Sequence, residues 1–432
     1  MLVGTSWADI TPSERLPIIG QMRVRYGEYT HDPLTVNAIA FERDGSQAVL
    51  VSCDLAFLDD NFVKSVQSAC EQETGITASS VIIACTHTHL GPSTVGFLYG
   101  DVSEKFMATL HKALVEVVRN ALADMEETEL YAGSGWLEQM GFNRRGLHHG
   151  GKADMYYGSW REGFEGVEGP RDGEVGVLFA RKLNGDIKAV VTSFSTHPNS
   201  VEGESYYSAD LVGSVRKFLR HNLGEDVGIV YLTGAAGNTA PSKLDDNEQG
   251  EFPWRDEGGW KRSGLYLGSE ILKTITGTIH PMQNPVLKLE HTELDIPLKP
   301  WPESFDPSKL EASGMKDYYV QSFKDWPQIL QNESPAKVNV NALRLGDAVI
   351  CTSPAEYFVE FGLRIKENSP AAVTLISELT DGYAGYVPTE AAFERGGYCT
   401  LPARSSKLDK SAGGIIADTT ISMLRRLFSD EV

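Results

Sequence analysis

Short apolar runs alternate along the chain with longer stretches whose apolar positions recur at helical spacing. The runs predict strands at Ala48–Val51, Val81–Cys85, Val175–Ala180, Ala189–Phe194, Val227–Leu232, Val338–Leu343, Ala348–Thr352 and Ala372–Ile376. Helical period predicts helices over Asn61–Glu73, Glu104–Met125, Asp210–Asn222, Trp260–Thr278, Glu356–Asn368 and Gly413–Phe428. Strands alternating with helices predict an α/β fold, a mixed β-sheet core flanked by helices. Two stretches lack clear period, near 143–171 and 297–335, and are expected to be irregular insertions that wall a pocket. Neither a linker nor an internal repeat is visible, so residues 1–432 are expected to form one domain.

Composition narrows the function classes. Against 39 Lys+Arg stand 59 Asp+Glu, a formal net charge of −20. Such a chain repels phosphate backbones and anionic lipid, so neither nucleic acid nor stable membrane association is expected. A small-molecule substrate is the expected partner, and an oligomer is compatible with everything in the sequence. No apolar stretch reaches the roughly 18–20 residues that span a bilayer, and the first residues lack a basic region followed by an apolar one. The expected location is cytoplasmic. The five cysteines form no Cys-x-x-Cys pair and sit mostly in apolar runs, so they predict buried thiols rather than disulfides or a thiolate metal site.

The candidate chemistry lies just after predicted strands. Val81–Cys85 runs into Thr86-His87-Thr88-His89-Leu90-Gly91-Pro92, and Ala189–Phe194 into Ser195-Thr196-His197. Val227–Leu232 runs into Thr233-Gly234-Ala235-Ala236-Gly237-Asn238, and Ala348–Thr352 into Ser353-Pro354-Ala355-Glu356. Ligands of open α/β sheets bind outside the carboxyl ends of the strands, so these segments are expected to meet at one rim. Imidazole and carboxylate suit zinc, and His-x-His on extended backbone puts both rings on one face. From the residues alone, both histidines can bind one metal, or one can bind while the other faces substrate. Asp381 is near enough in sequence to Tyr386 to orient a ligand, and Asp210 reads as a helix N-cap.

The ordered set Val3-Gly4-Thr5-Ser6-Trp7-Ala8-Asp9-Ile10-Thr11, Thr86-His87-Thr88-His89-x-Gly91-Pro92, Phe142-Asn143-Arg144 and Phe194-x-Thr196-His197 resembles the neutral/alkaline (non-lysosomal) ceramidase family. Gly237-Asn238-x-x-Pro241, Pro354-x-Glu356-Tyr357-Phe358 and Tyr386-Val387-Pro388-Thr389 followed by Tyr398 continue the resemblance over nearly the whole chain. It implies the catalytic-domain fold of that family and a Zn2+ site held by His87, His197, Glu356 and Tyr386. It further implies catalytic roles at the substrate for His89, Arg144 and Tyr398.

The chain departs from the family at the nucleophile. Where ceramidases carry Gly-Asp-x-Ser-Pro, this sequence reads Gly237-Asn238-Thr239-Ala240-Pro241, with Ala240 at the serine position. The family's C-terminal immunoglobulin-like domain and secretory signal are not read here either. The expectation is therefore a divergent zinc-dependent hydrolase that uses metal-activated water on an amide or related polar bond. Thr239 and Ser242 flank the vacant position as alternative nucleophiles. Competing readings are a carbohydrate-active enzyme on uronic-acid sugars, lyase or hydrolase, with Tyr156, Tyr157, Trp136 and Trp160 as stacking candidates, and a zinc-binding scaffold without catalysis.

Overall fold

Twelve strands build two stacked sheets in the computed structural model, which describes residues 1–21, 23–97, 100–247, 249–301 and 316–429. In chain order the strands are β1 (Leu2–Asp9), β2 (Thr35–Arg43), β3 (Ser46–Cys53), β4 (Val81–Cys85), β5 (Glu126–Trp136) and β6 (Glu174–Lys182). They continue with β7 (Ile187–Phe194), β8 (Gly228–Thr233), β9 (Leu287–Ile296), β10 (Ala336–Leu345), β11 (Ala348–Thr352) and β12 (Val373–Ser377). The larger sheet has eight strands in the order β8-β7-β6-β5-β1-β2-β3-β4, and the smaller has four, β9-β10-β11-β12.

The helices are α1 (Asp60–Thr74), α2 (Glu104–Ala123), α3 (Asp210–Leu223), α4 (Asp256–Gly277), α5 (Lys316–Glu333), α6 (Val359–Glu367), α7 (Glu390–Arg395) and α8 (Ala412–Leu427). Helix α1 starts where the Asp59 carboxylate accepts from the Asn61 N–H and stops at Gly75 in the left-handed region (φ 78°). Strand period explains the layering. Along β2, Val36, Ala38 and Ala40 face a core shared with Leu110, Leu114 and Val118 of α2, whereas Ile39 and Phe41 face the opposite way. That second face joins Leu178, Val191, Val230, Leu343, Ile350 and Leu375 in a core between the two sheets. Helices α3 and α4 cover the β5–β8 half of the larger sheet, and α8 covers the outer face of the smaller one. The result is a mixed α/β sandwich of helices, sheet, sheet and helices, in which the inner faces of the two sheets pack together and helices cover much of the outer faces.

The topology repeats although the sequence shows no repeat. In β1–β4, β5–β8 and β9–β12 alike, the first three strands run antiparallel to their neighbours and the fourth lies parallel to the third. In each unit a helix (α1, α3 or α6) crosses between the third and fourth strands, as parallel pairing requires. Each unit thus presents one pair of parallel carboxyl ends.

Several expectations shift. Strands β1, β2, β5 and β9 were not expected: β1, β5 and β9 break their apolar positions with Gly, polar or charged residues, whereas the apolar run Ala38–Phe41 of β2 was simply not read. Of the stretch 297–335, residues 302–315 lie outside the described residues, and the part expected to be irregular carries helix α5. The stretch 143–171 holds its own three-stranded sheet of Arg145–His148, Lys152–Met155 and Phe164–Val167. Among the described residues no helix is long and apolar enough to cross a membrane.

Candidate metal centre

The post-strand segments of all three units meet. His87 follows β4 and takes a positive φ of 68°, a conformation that costs a non-glycine residue energy and is held by its surroundings. Its N–H donates to the Leu55 carbonyl and its ring Nδ1 lies 2.9 Å from the Ala56 carbonyl, both residues following β3. His197 follows β7 and repeats the device: its Nδ1 lies 2.7 Å from the Ala236 carbonyl, in the segment after β8. A carbonyl can only accept, so both Nδ1 atoms carry the proton and both Nε2 atoms present lone pairs.

Those Nε2 atoms face each other at 3.1 Å, and the Nε2 of His89 lies 3.2 Å from that of His87. His87, His89 and His197 are buried, with ligand atoms all within 4.8 Å of one another. Glu356 arrives from the third unit, its Oε2 3.5 Å from the Nε2 of both His87 and His197. That oxygen is buried without a hydrogen-bond partner, while Tyr383 donates to the other at 3.0 Å. Converging lone pairs and an unpartnered carboxylate oxygen are the donor set of a cation site.

Glu356 was expected to open a helix. It lies instead in a two-residue strand, Glu356–Tyr357, paired in parallel with Tyr386–Val387, and helix α6 begins after Phe358. The register puts Glu356 directly beside Tyr386. The buried carboxyl of Glu378 accepts from the N–H groups of Ala236 and Tyr357, tying together the backbone beside His197 and Glu356.

Arg144 borders the cluster. Its Nη2 lies 2.9 Å from His197 Nε2, and it donates to the Gly237 carbonyl at 2.9 Å and the Tyr386 hydroxyl at 3.2 Å. The Tyr386 and Tyr398 hydroxyls lie 3.4 Å apart. The residues that the family resemblance singled out, His87, His89, Arg144, His197, Glu356, Tyr386 and Tyr398, therefore form one connected set. Burial works against the Arg144 charge, yet the surrounding phenols of Tyr156, Tyr386 and Tyr398 hold its pKa above the ordinary guanidinium value. Burial, then the Arg144 charge, pushes His197 well below the usual imidazole range. Burial opposes ionisation of Glu356, but His87 and His197 hold it well below the carboxylate range. Burial raises the phenols of Tyr386 and Tyr398, which stay protonated at neutral pH.

Residues that sequence reasoning missed surround the set. Glu202 accepts from His89 Nδ1 at 3.0 Å, and its other oxygen pairs with Arg255 at 3.2 Å. Tyr156, expected from the sequence only as a stacking candidate, joins them by accepting from Arg144 Nη1 and from Asn199. The Gly-Glu-rich segment around Glu202 carries no spacing signal, and only the fold brings it to His89. Asp381, expected to orient Tyr386, instead accepts from the Ile83 N–H and the Asn341 amide, pinning the two sheets together. Asp210 lies one residue inside helix α3, whose N-cap is Ala209, and its carboxylate also holds the Ser200 and Val201 N–H groups. Ala240 is fully buried, the Thr239 hydroxyl is tied to the Ser195 carbonyl, and Ser242 accepts from Arg255. Asn238, at the family's aspartate position, caps α6 through the Val359 N–H and donates to Glu360.

No protein-family model matches the chain. Over 178 residues, 38% of the chain, it is 26% identical to the neutral ceramidase of Pseudomonas aeruginosa, a match that spans 24% of that protein's length. The crystal structure of neutral ceramidase from Pseudomonas aeruginosa superposes on 99% of this chain and 74% of its own with a TM-score of 0.76 at 18% identity. A ceramidase complexed with C2 superposes equally, at TM-score 0.76 and 17% identity, over 99% of this chain and 75% of its own. Fold along the whole chain and sequence over part of it both resemble neutral ceramidase, and the chain has the mixed α/β fold of that enzyme's matching portion.

Proposed function

We propose that the chain is a zinc-dependent hydrolase of amide bonds, with His87, His197, Glu356 and Tyr386 holding the metal. The observation that carries this reading is the orphaned Glu356 Oε2 facing two imidazole Nε2 atoms whose protons are committed to the far side of each ring. Arg144 offers a donor to the His197 nitrogen alone, and without a metal ion the His87 nitrogen and the Glu356 oxygen face each other as lone pairs in a buried site; nitrogen and carboxylate oxygen are the donors zinc selects. The carbonyl contacts of Ala56 and Ala236 also match the outer partners that orient metal-bound imidazoles. The likeness to neutral ceramidase, an amidase by name, supports the amide as the bond cleaved. Zinc, when bound, supplies a Lewis acid and a source of hydroxide at neutral pH.

The chain's own residues do the rest. Arg144, permanently charged and walled by phenols, holds the substrate carbonyl through its fork of donors. Tyr398, kept protonated by burial, donates to the oxygen on which charge develops. Water oxygen bonds to the acyl carbon and the carbon–nitrogen bond breaks. His89, held by Glu202 through Nδ1, passes a proton from the water to the leaving nitrogen through Nε2. This route needs no serine, which is consistent with Ala240.

His89 also belongs to the three-imidazole cluster, so the test separates ligand from proton carrier. Metal content by elemental analysis and amine release from short N-acyl amides are measured on His87→Ala and His89→Ala. The expected result is loss of zinc and turnover in the first, and retained zinc with turnover reduced at least about 100-fold in the second. Full turnover by metal-free His87→Ala overturns the reading.

A further inference from the structure

A pocket of about 500 Å³ shares two walls with the candidate centre, within the roughly 300–1,000 Å³ of small-molecule sites. Glu202 lines it and accepts from His89; Tyr156 lines it and accepts from Arg144. Whatever fills this pocket therefore touches the partners of both groups assigned to substrate.

The walls are chemically mixed. Tyr156, Trp160 and Phe252 supply flat apolar faces, and Arg161, Glu202 and Arg255 supply charge and directional hydrogen bonding. Val201 is the one aliphatic side chain among the described lining residues. The aromatic groups are fixed in place. Trp160 meets Phe252 edge to face at 5.3 Å. The guanidinium groups of Arg144 and Arg255 each lie 5.5 Å from the Tyr156 ring centre, and Tyr156 takes a positive φ of 58°.

A long acyl chain gains affinity by covering methylenes with apolar wall, and here it would strip water from charged groups without replacing their hydrogen bonds. A sugar ring suits the same walls: its C–H face covers an indole or phenol, and its hydroxyls pair with carboxylate and guanidinium at the rim. We propose that this pocket seats a short N-acylated amino sugar, placing its amide at the Arg144–His89 side. The proposal rests on the amide-hydrolase reading above and names the substrate class of that site.

The test is calorimetric titration of the zinc-loaded protein with N-acetylglucosamine, its disaccharide and a short-chain ceramide, alongside amine release from each. Trp160→Ala and the conservative Trp160→Phe are compared, with thermal melts and zinc content confirming intact protein. The expected result is saccharide binding without ceramide binding, weakened at least tenfold by Trp160→Ala and restored in part by Trp160→Phe. Preference for the ceramide, absence of saccharide binding, or an unaltered affinity in folded Trp160→Ala overturns the proposal. Release of an unsaturated sugar instead of an amine also overturns it. Hydrolysis of simple amides without saccharide binding would sink the pocket assignment alone, whereas saccharide binding without amine release would sink the hydrolase reading and leave the pocket as a sugar site.

Discussion

At the scale of single residues, burial sets the chemistry. Asp210 is fully buried, and its carboxyl is pushed up to about 7 by that burial against the pull of three N–H donors. The unfolded chain releases this proton near 3.8. The folded state therefore holds an extra proton between those values, and stability falls as pH rises through that window. Asp210→Asn keeps the side-chain shape, tolerates the positive φ of 53°, and cannot ionise. Between pH 5 and pH 8, wild type should lose on the order of 2 kcal/mol more stability than this variant in urea denaturation. Parallel stability curves for the two proteins would contradict the assignment. The histidines, Glu356, Arg144, Tyr386 and Tyr398 were legible in the sequence because each follows a strand or sits in an ordered motif. Glu202, Tyr383 and Glu378 were not, since their roles depend on contacts between segments far apart in the chain.

At the scale of elements, close backbone approach decides whether the donors meet. A Cβ on Gly237 would lie 2.3 Å from the Glu356 carbonyl oxygen, a contact with backbone that no rotamer relieves. Gly237→Ala should displace the Glu356–Tyr357 strand, destabilise the fold by about 1–3 kcal/mol, and weaken metal affinity at least tenfold. Metal titration on the folded variant checks this, and unchanged affinity would show that Glu356 is not positioned through this contact. Apolar period found the strands buried on both faces, such as β4 and β11, to the residue. It missed β9, whose exposed positions are charged, and it extended α6 back over Glu356 because a two-residue strand has no period to read. Asn238 shows the opposite limit. Its place in a family motif suggested chemistry, whereas its side chain caps α6.

At the scale of the whole molecule, the candidate donors come from all three repeated units: His87 from the first, His197 from the second, Glu356 and Tyr386 from the third. On the proposed ligand set, metal binds the folded state alone, and at a free concentration of 1,000 Kd it adds about 4 kcal/mol of stability. Stripping the metal with a chelator should lower Tm in scanning calorimetry, and zinc should restore it. His87→Ala should melt at the same temperature with and without zinc; a zinc-dependent shift in that variant would place the ion elsewhere. The meeting of the post-strand segments was legible in the sequence, but their origin in three units of one strand order was not, because that order lies in backbone pairing while the side chains of the units differ.

The three-part origin of the donors also bears on the order of events during synthesis. The first unit leaves the ribosome with an imidazole pair and no carboxylate partner, and the second adds a lone histidine. Glu356 and Tyr386 emerge only after both of these units have been made. On the proposed ligand set, high-affinity capture of the ion waits for the third unit, a seal that closes only once all three units have found each other. Truncated or stalled products would be left unable to sequester zinc.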